Sequence, residues 1–165
     1  MAVCFIESVG YSTTGSAADF DSVYERSIRS IPAKKGVKMQ LLHGDCLELM
    51  KDIPDNSVDM VLCDLPFGVT RNEWDKIIPF DALWGGYHRI VKPNGAIVLH
   101  CQQPFTSQLI MSNLSDFKYC WVWYKKQCSG FLNAKKQPLR NCEDITVFYR
   151  KQCTYNPIMR KVSRS

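Results

Sequence analysis

Three features of the chain predict an α/β fold with a mostly parallel sheet finished by an antiparallel C-terminal hairpin. Val58 to Cys63 and Ala96 to His100 are apolar runs of strand length, the pattern of strands buried on both faces of a parallel sheet. Stretches with helical spacing separate them, so strand and helix alternate from Met39 onward. Toward the C-terminus, Tyr119 to Lys125 and Ile145 to Tyr149 are β-rich and bracket a loop from Lys126 to Arg140, as two antiparallel strands around a functional loop would.

The elements follow in order. Residues 1 to 38 differ from the rest: a Ser/Thr/Gly stretch runs from Ser12 to Ser16, and Pro32-Ala33-Lys34-Lys35-Gly36 has the composition of a linker. Between them Ser16 and Asp19 resemble a capping box. Phe20, Val23, Tyr24, Ser27, Ile28 and Ile31 recur at helical spacing, which predicts one peripheral amphipathic helix. Residues 1–38 therefore read as an extension, 39–157 as the domain that Met39 opens, and 158–165 as a basic tail. Within the domain MQLLH is strand-like, and Cys46 to Asp52 has the length of a short helix. Phe80 to Val91 forms the next helix, closed by the turn residues Lys92-Pro93-Asn94-Gly95, and Pro104 to Asn113 forms a third.

Length and charge narrow the function. A chain of 165 residues with 45% hydrophobic content supports one core. The eight cysteines never stand closer than eight residues apart, so no pair is spaced to hold one zinc, and they read as reduced, mostly buried apolar side chains. His43, His88 and His100 show no paired spacing and read as structural. No stretch approaches the ~18 apolar residues of a membrane span and no basic leader precedes an apolar segment, which points to a cytoplasmic protein without a membrane partner. Residues 125 to 165 carry ten Lys/Arg against two Asp/Glu, net +8, while residues 1 to 124 carry eleven against fourteen, net −3. The basic end suits a polyanion, and equally a solvated tail.

Chemistry concentrates in VLCDLPFGV, residues 61–69. Ligands of open α/β sheets sit beyond the carboxyl ends of the strands, where Asp64 to Phe67 fall. Pro66 fixes its own φ and biases Leu65 toward extended geometry, so two backbone carbonyls take set directions beside the Asp64 carboxylate. Adjacent rigid acceptors satisfy a primary amine, and Phe67 offers a face for a flat ring. The implied ligand is a planar ring with an exocyclic amine, such as adenine or cytosine. That nitrogen is a poor nucleophile until acceptors draw its protons out of the ring plane and localise its lone pair.

These residues resemble the D-P-P-Y catalytic motif of the DNA amino-methyltransferases, which move a methyl group from S-adenosylmethionine to the amino group of adenine or cytosine. Further stretches are similar to the family's in order: His43-Gly44-Asp45-Cys46-Leu47, Asp55-Asn56-Ser57-Val58-Asp59, Asn72-x-Trp74-Asp75, Lys92-x-Asn94-Gly95, Trp123-x-Lys125 and Asn141-x-Glu143-Asp144-Ile145-x-Val147-Phe148. The resemblance runs from about Met39 to about Pro157. It implies a Rossmann-like sheet of the class I methyltransferases, in the permuted class whose catalytic half comes first. It further implies that Asp64 and the Leu65 and Pro66 carbonyls hold the target amine while Phe67 stacks on a base flipped out of double-stranded DNA. Leu65 and Phe67 replace the commoner Pro and Tyr; the carbonyl and the stacking face are kept. Asp rather than Ser at 64 favours adenine N6 over cytosine N4, and Asp rather than Asn disfavours the related glutamine methylators of proteins. Asp45, with Cys46, falls where the cofactor's adenosine part is contacted, and Asp45 serves equally as a helix N-cap. Phe131, Lys135, Lys136 and Arg140 lie on the loop that would face DNA, and a merely solvated loop is the alternative. Glu143 suits either the base or a basic neighbour.

The glycine-rich turn that cradles the cofactor's methionine part in this sheet type has no counterpart in the sequence. The resemblance therefore covers a catalytic half, as expected of a fragment, a truncated gene or one chain of a split enzyme completed by a second polypeptide. S-adenosylmethionine is the expected cofactor, with an incomplete pocket and no binding by this chain alone. The competing expectation is an inactive remnant or DNA-contacting module. In the related fold, two strands from the cofactor half separate residues 39–43 from 58–63. The expectation is that either these two strands pair directly or the edge at 58–63 stays open.

Overall fold

The computed structural model describes residues 3–7, 11–13, 40–42 and 44–159. The expected helix around Phe20 to Ile31, its capping box and His43 lie outside the described residues. Seven strands form one sheet: β1 (Val3–Glu7), β2 (Tyr11–Thr13), β3 (Gln40–Leu42), β4 (Val58–Asp64), β5 (Val91–Cys101), β6 (Phe117–Ser129) and β7 (Arg140–Phe148). Among the described residues three α-helices accompany them: α1 (Cys46–Lys51), α2 (Phe80–Ile90) and α3 (Phe105–Ser112). The strand order is β3-β2-β1-β4-β5-β7-β6.

The pairing β4–β5 is parallel, as the two apolar runs predicted, and so is β2–β3; β1 and β7 run against their neighbours. Most strands thus share one direction, although the sheet is mixed in its pairings. The expectation for the 58–63 edge needs correction. β4 neither pairs with β3 nor stays open, because β1 pairs antiparallel along it from Val3↔Asp64 to Glu7↔Met60, and β2 then joins β3. Residues of the N-terminal segment supply the backbone partners that strand β4 requires.

Two element boundaries also move. Lys92 to Gly95, expected as a turn between helix and strand, falls inside β5 as an irregularity, since Val58 pairs with Val91 and Met60 already pairs with Ala96. Lys92 Nζ lies 2.6 Å from Asp59 Oδ1 there. At Gly95 a Cβ would sit 2.7 Å from the Asp59 carbonyl oxygen, so only glycine permits the approach. The C-terminal hairpin is longer than expected, because strand pairing extends to Ser129↔Arg140 across a shift after Tyr124.

The core sits on one face of the sheet. Val61 and Cys63 of β4 and Ile97, Leu99 and Cys101 of β5 pack with Phe148 under Leu83, Trp84, Tyr87 and Ile90 of α2 and Phe105 and Leu109 of α3. The α2 residues recur at helical spacing, one stripe facing the sheet. Trp84 joins the layers, its ring 4.8 Å from that of Phe148 and its Nε1 donating to Ser112 Oγ at 2.8 Å. The other face is less covered: Met60 and Leu62 are half-buried and Asp64 is exposed, so β4 is not buried on both faces. Among the described cysteines Cys63 and Cys101 are buried, whereas Cys120, Cys128 and Cys142 are exposed. The expectation of mostly buried cysteines fails because the hairpin that carries those three is the edge of the sheet. Among the described residues no helix is long and apolar enough to cross a membrane.

Candidate active site

The strand β4 ends at Asp64, and the motif turns outward at the carboxyl edge of the sheet. Leu65 explains its departure from proline: its side chain is 4% exposed and belongs to the core, so packing holds the carbonyl direction that a ring would otherwise fix. Pro66 is buried, and half-buried Phe67 lies with its ring 5.3 Å from that of Phe105, tilted by 38°. Phe105 in turn meets Phe80 at 5.9 Å. Phe67 is therefore braced from behind by the helix layer.

The turn that follows is held by a residue to which the sequence reading gave no role. Asp75 is buried, and its carboxylate accepts three backbone hydrogen bonds: Gly68 N–H at 2.8 Å on Oδ1, and Val69 and Thr70 N–H at 2.9 and 2.6 Å on Oδ2. Burial pushes its pKa up, but the hydrogen bonds from Thr70, Gly68 and Val69 outweigh that and leave the carboxyl below its ordinary 3.8. Gly68 completes the turn at φ +68°, where a Cβ would also crowd Ile77 at 3.1 Å. The spacing of Asp75 after a glycine turn was visible in the sequence, and only the fold shows that the two meet.

A cavity of about 500 Å³ opens beside this turn, within the usual range for a small-molecule site. Asp45, Cys46, Pro66, Trp74, Lys76 and Ile77 are among its lining residues, so the expected cofactor residues Asp45 and Cys46 and one residue of the motif share one space. Asp45 also caps α1, accepting from Leu47 N–H at 2.8 Å, which makes its two expected roles compatible. Trp74, 45% exposed, adds an aromatic wall that sequence reasoning left without a function.

Asp64 itself faces a different group of residues. It pairs in register with His100 of β5, and Lys125 of β6 forms an ion pair with Glu143 of β7 at the same end of the sheet. Desolvation at the strand end raises the Asp64 pKa; His100 lowers it, Glu143 raises it and Lys125 lowers it. Of the two options for Glu143, the structure shows the basic neighbour. His100, read as structural, stands beside the motif carboxylate, whereas His88 is structural, its Nε2 2.7 Å from Asp116 Oδ2.

The expected DNA-facing residues gather elsewhere, at the tip of the β6–β7 hairpin. Gly130, at φ +87°, starts a short 3-10 helix over Phe131–Asn133, and Lys136 N–H closes back on the Asn133 carbonyl at 2.8 Å. Phe131 is 74% exposed, and Lys135 and Lys136 are exposed. Arg140 stands apart as the first residue of β7, its Nη1 donating to Gln102 Oε1 at 2.8 Å.

The hydrogen bonds of Asp75 carry a stability prediction. Asp75→Asn removes one anionic acceptor and turns an amide donor toward backbone N–H groups, so stability at pH 7 should fall by about 1–3 kcal/mol. Because the folded-state pKa of Asp75 is depressed, its contribution is present above about pH 4 and is lost as pH falls through the folded value. Urea unfolding of both proteins from pH 7 downward should show the gap closing on the acid side; a gap independent of pH would contradict the assignment.

No protein-family model matches the chain. Over 72 residues it is 32% identical to the type II methyltransferase M.BamHI of Bacillus amyloliquefaciens, a match covering 37% of this chain and 17% of that protein. Among solved structures, M1.HpyAVI superposes with a TM-score of 0.53 at 20% identity, covering 74% of this chain and 63% of the other. The cytosine-N4-specific PvuII DNA methyltransferase gives 0.51 at 14%, covering 67% and 48%. CrArsM, an arsenic(III) S-adenosylmethionine methyltransferase from Chlamydomonas reinhardtii, gives 0.51 at 11%, covering 84% and 54%. The chain thus spans less than two thirds of each of these proteins. Methyltransferases with different substrates share this arrangement, and at such identities the structures establish the fold alone. The fold is a partial class I methyltransferase sheet, and the sequence is similar over 72 residues to a type II DNA methyltransferase.

Proposed function

We propose that the chain is the catalytic portion of a DNA methyltransferase acting on the exocyclic amino group of adenine at N6, in preference to cytosine at N4. The observation that carries this reading is the Asp64-Leu65-Pro66-Phe67 turn, fixed by core packing of Leu65 and by the Asp75 carboxylate, at the carboxyl edge of a methyltransferase sheet. S-adenosylmethionine would supply an electrophilic methyl group. The cavity beside Pro66 fits its adenosine part, with Asp45 as a polar partner for the ribose and Trp74 and Ile77 as walls. Residues for the methionine part are lacking among those described: Gly44 and Gly68 near the cavity are isolated. A complementing polypeptide carrying a glycine-rich turn is therefore part of the proposal.

In this reading Asp64 and the Leu65 and Pro66 carbonyls accept hydrogen bonds from the target amine. They favour a nitrogen whose lone pair points at the electrophile, and Phe67 holds the ring of a base flipped from the duplex. Phe67 loses little freedom on stacking, because Phe105 already restrains it. The domain would comprise residues 39–157 with 1–38 as an extension and 158–165 as a basic tail, although β1 and β2 join the same sheet. Phe131, Lys135, Lys136 and Arg140 would meet DNA from the hairpin, the lysines at phosphates and Phe131 at the gap left by the flipped base.

Two measurements test this. In the protein assayed with the polypeptide that completes its cofactor site, Asp64→Ala should abolish methyl transfer while DNA affinity stays near wild type, since the missing acceptor acts mainly in the transition state. Transfer within tenfold of wild type would remove Asp64 from the mechanism. DNA binding should weaken steeply with salt, and joint replacement of Lys135, Lys136 and Arg140 by alanine should flatten the log-log salt slope by roughly 0.9 for each phosphate no longer neutralised. An unchanged slope would place the DNA face elsewhere.

A further inference from the structure

Four neighbouring strands bring ionisable residues to one face of the sheet. Strand pairing sets the faces: Asp64 of β4 is opposite His100 of β5, His100 is opposite Ile145 of β7, and Glu143, two residues from Ile145, is opposite Trp123 of β6. Residues paired across strands share a face, as do residues two apart, so Asp64, His100, Glu143, Trp123 and Lys125 all point the same way. Contacts agree with this pattern. The His100 ring meets Trp123 edge-on at 5.5 Å, the Lys125 ammonium lies 5.6 Å from the centre of the Trp123 ring, and Lys125 Nζ is ion-paired with Glu143 Oε1. Neither partner of the ion pair is more than a quarter exposed, which keeps solvent from fully screening their fields.

We propose that His100, Lys125 and Glu143 are positioning residues that set the charge state of Asp64. The inference rests on the role given to Asp64 under Proposed function. An ionised Asp64 is a strong acceptor for an amine, whereas a protonated one keeps only a weaker carbonyl acceptor, so the pH at which Asp64 ionises bounds the working range of the site. The ion pair is neutral as a whole, yet its two ends act on Asp64 in opposite senses: Lys125 favours the ionised form and Glu143 opposes it. His100 acts on Asp64 in the same sense as Lys125. On the β1 side Asp64 is paired with Val3, which carries no charge.

Opposite senses separate this role from a structural one. Lys125→Met and Glu143→Gln both break the same ion pair, so both should lower stability. Their effects on Asp64 should diverge, with the ionisation midpoint rising in Lys125→Met and falling in Glu143→Gln. The midpoint can be read in the whole 165-residue chain from the carboxyl carbon resonance of Asp64, assigned by its loss in Asp64→Asn. Lys125→Arg, which keeps the charge, should restore the wild-type midpoint and guards against a folding defect in the methionine variant. His100→Asn should raise the midpoint. Shifts in one direction for Lys125→Met and Glu143→Gln, or none in either, would overturn the proposal. Since this readout needs neither cofactor nor DNA, a failed methyl-transfer assay would count against the proposed function and leave the charge-setting cluster standing.

Discussion

Everything at the candidate site depends on one buried carboxylate. Asp75 takes three consecutive backbone N–H groups into a single acceptor and so converts the stretch from Gly68 to Thr70 into a fixed wall. Without it those three donors, carried by residues that are themselves exposed, would turn to water and the stretch would lose its anchor. The wall matters because Leu65 to Phe67, which follow the end of β4, have no regular structure of their own. Asp64 leaves the strand, Leu65 is anchored in the core, Pro66 lines the cavity and Phe67 rests on Phe105. Holding both ends of this short segment, one in the core and the other on Asp75, is what gives its carbonyls a direction.

The sheet determines which groups can reach that segment. Helices α2 and α3 cover one face and bury it, so the carboxyl edge of β4 opens between a cavity on one side and a line of polar side chains on the other. Asp45 and Trp74 belong to the cavity; His100, Lys125 and Glu143 belong to the line. Pro66 and Asp64, two residues apart in sequence, are therefore directed at different surroundings. An apolar pocket for one ligand and a charged neighbourhood for an acceptor are compatible demands when a strand end separates them.

Much of this was legible in the sequence, for identifiable reasons. The apolar runs at Val58 and Ala96 named two strands of a parallel sheet, since short apolar stretches bounded by turns suit buried strands, and the fold makes them neighbours. The spacing of Leu83, Trp84, Tyr87 and Ile90 named the helix that covers them. Asp45 was placed correctly at a helix start because Ncap chemistry is local. What escaped was non-local. Neither Asp75 meeting Gly68 nor His100 standing beside Asp64 leaves a periodic trace, as both arise from register or from chain reversal. The partner of β4 escaped for the same reason: a short antiparallel hairpin at Val3 to Thr13 carries little pattern, and only the unpaired edge it fills made a partner necessary.

Amide hydrogen exchange at Gly68, Val69 and Thr70 tests the central claim most directly, because it reads the three N–H groups individually and requires no ligand. If the Asp75 carboxylate holds the turn, these amides exchange slowly in the wild-type protein near pH 7, and in Asp75→Asn they alone accelerate while the amides of β4 and β5 keep their protection. Rapid exchange at all three positions in the wild-type protein, with β4 and β5 still protected, would contradict it.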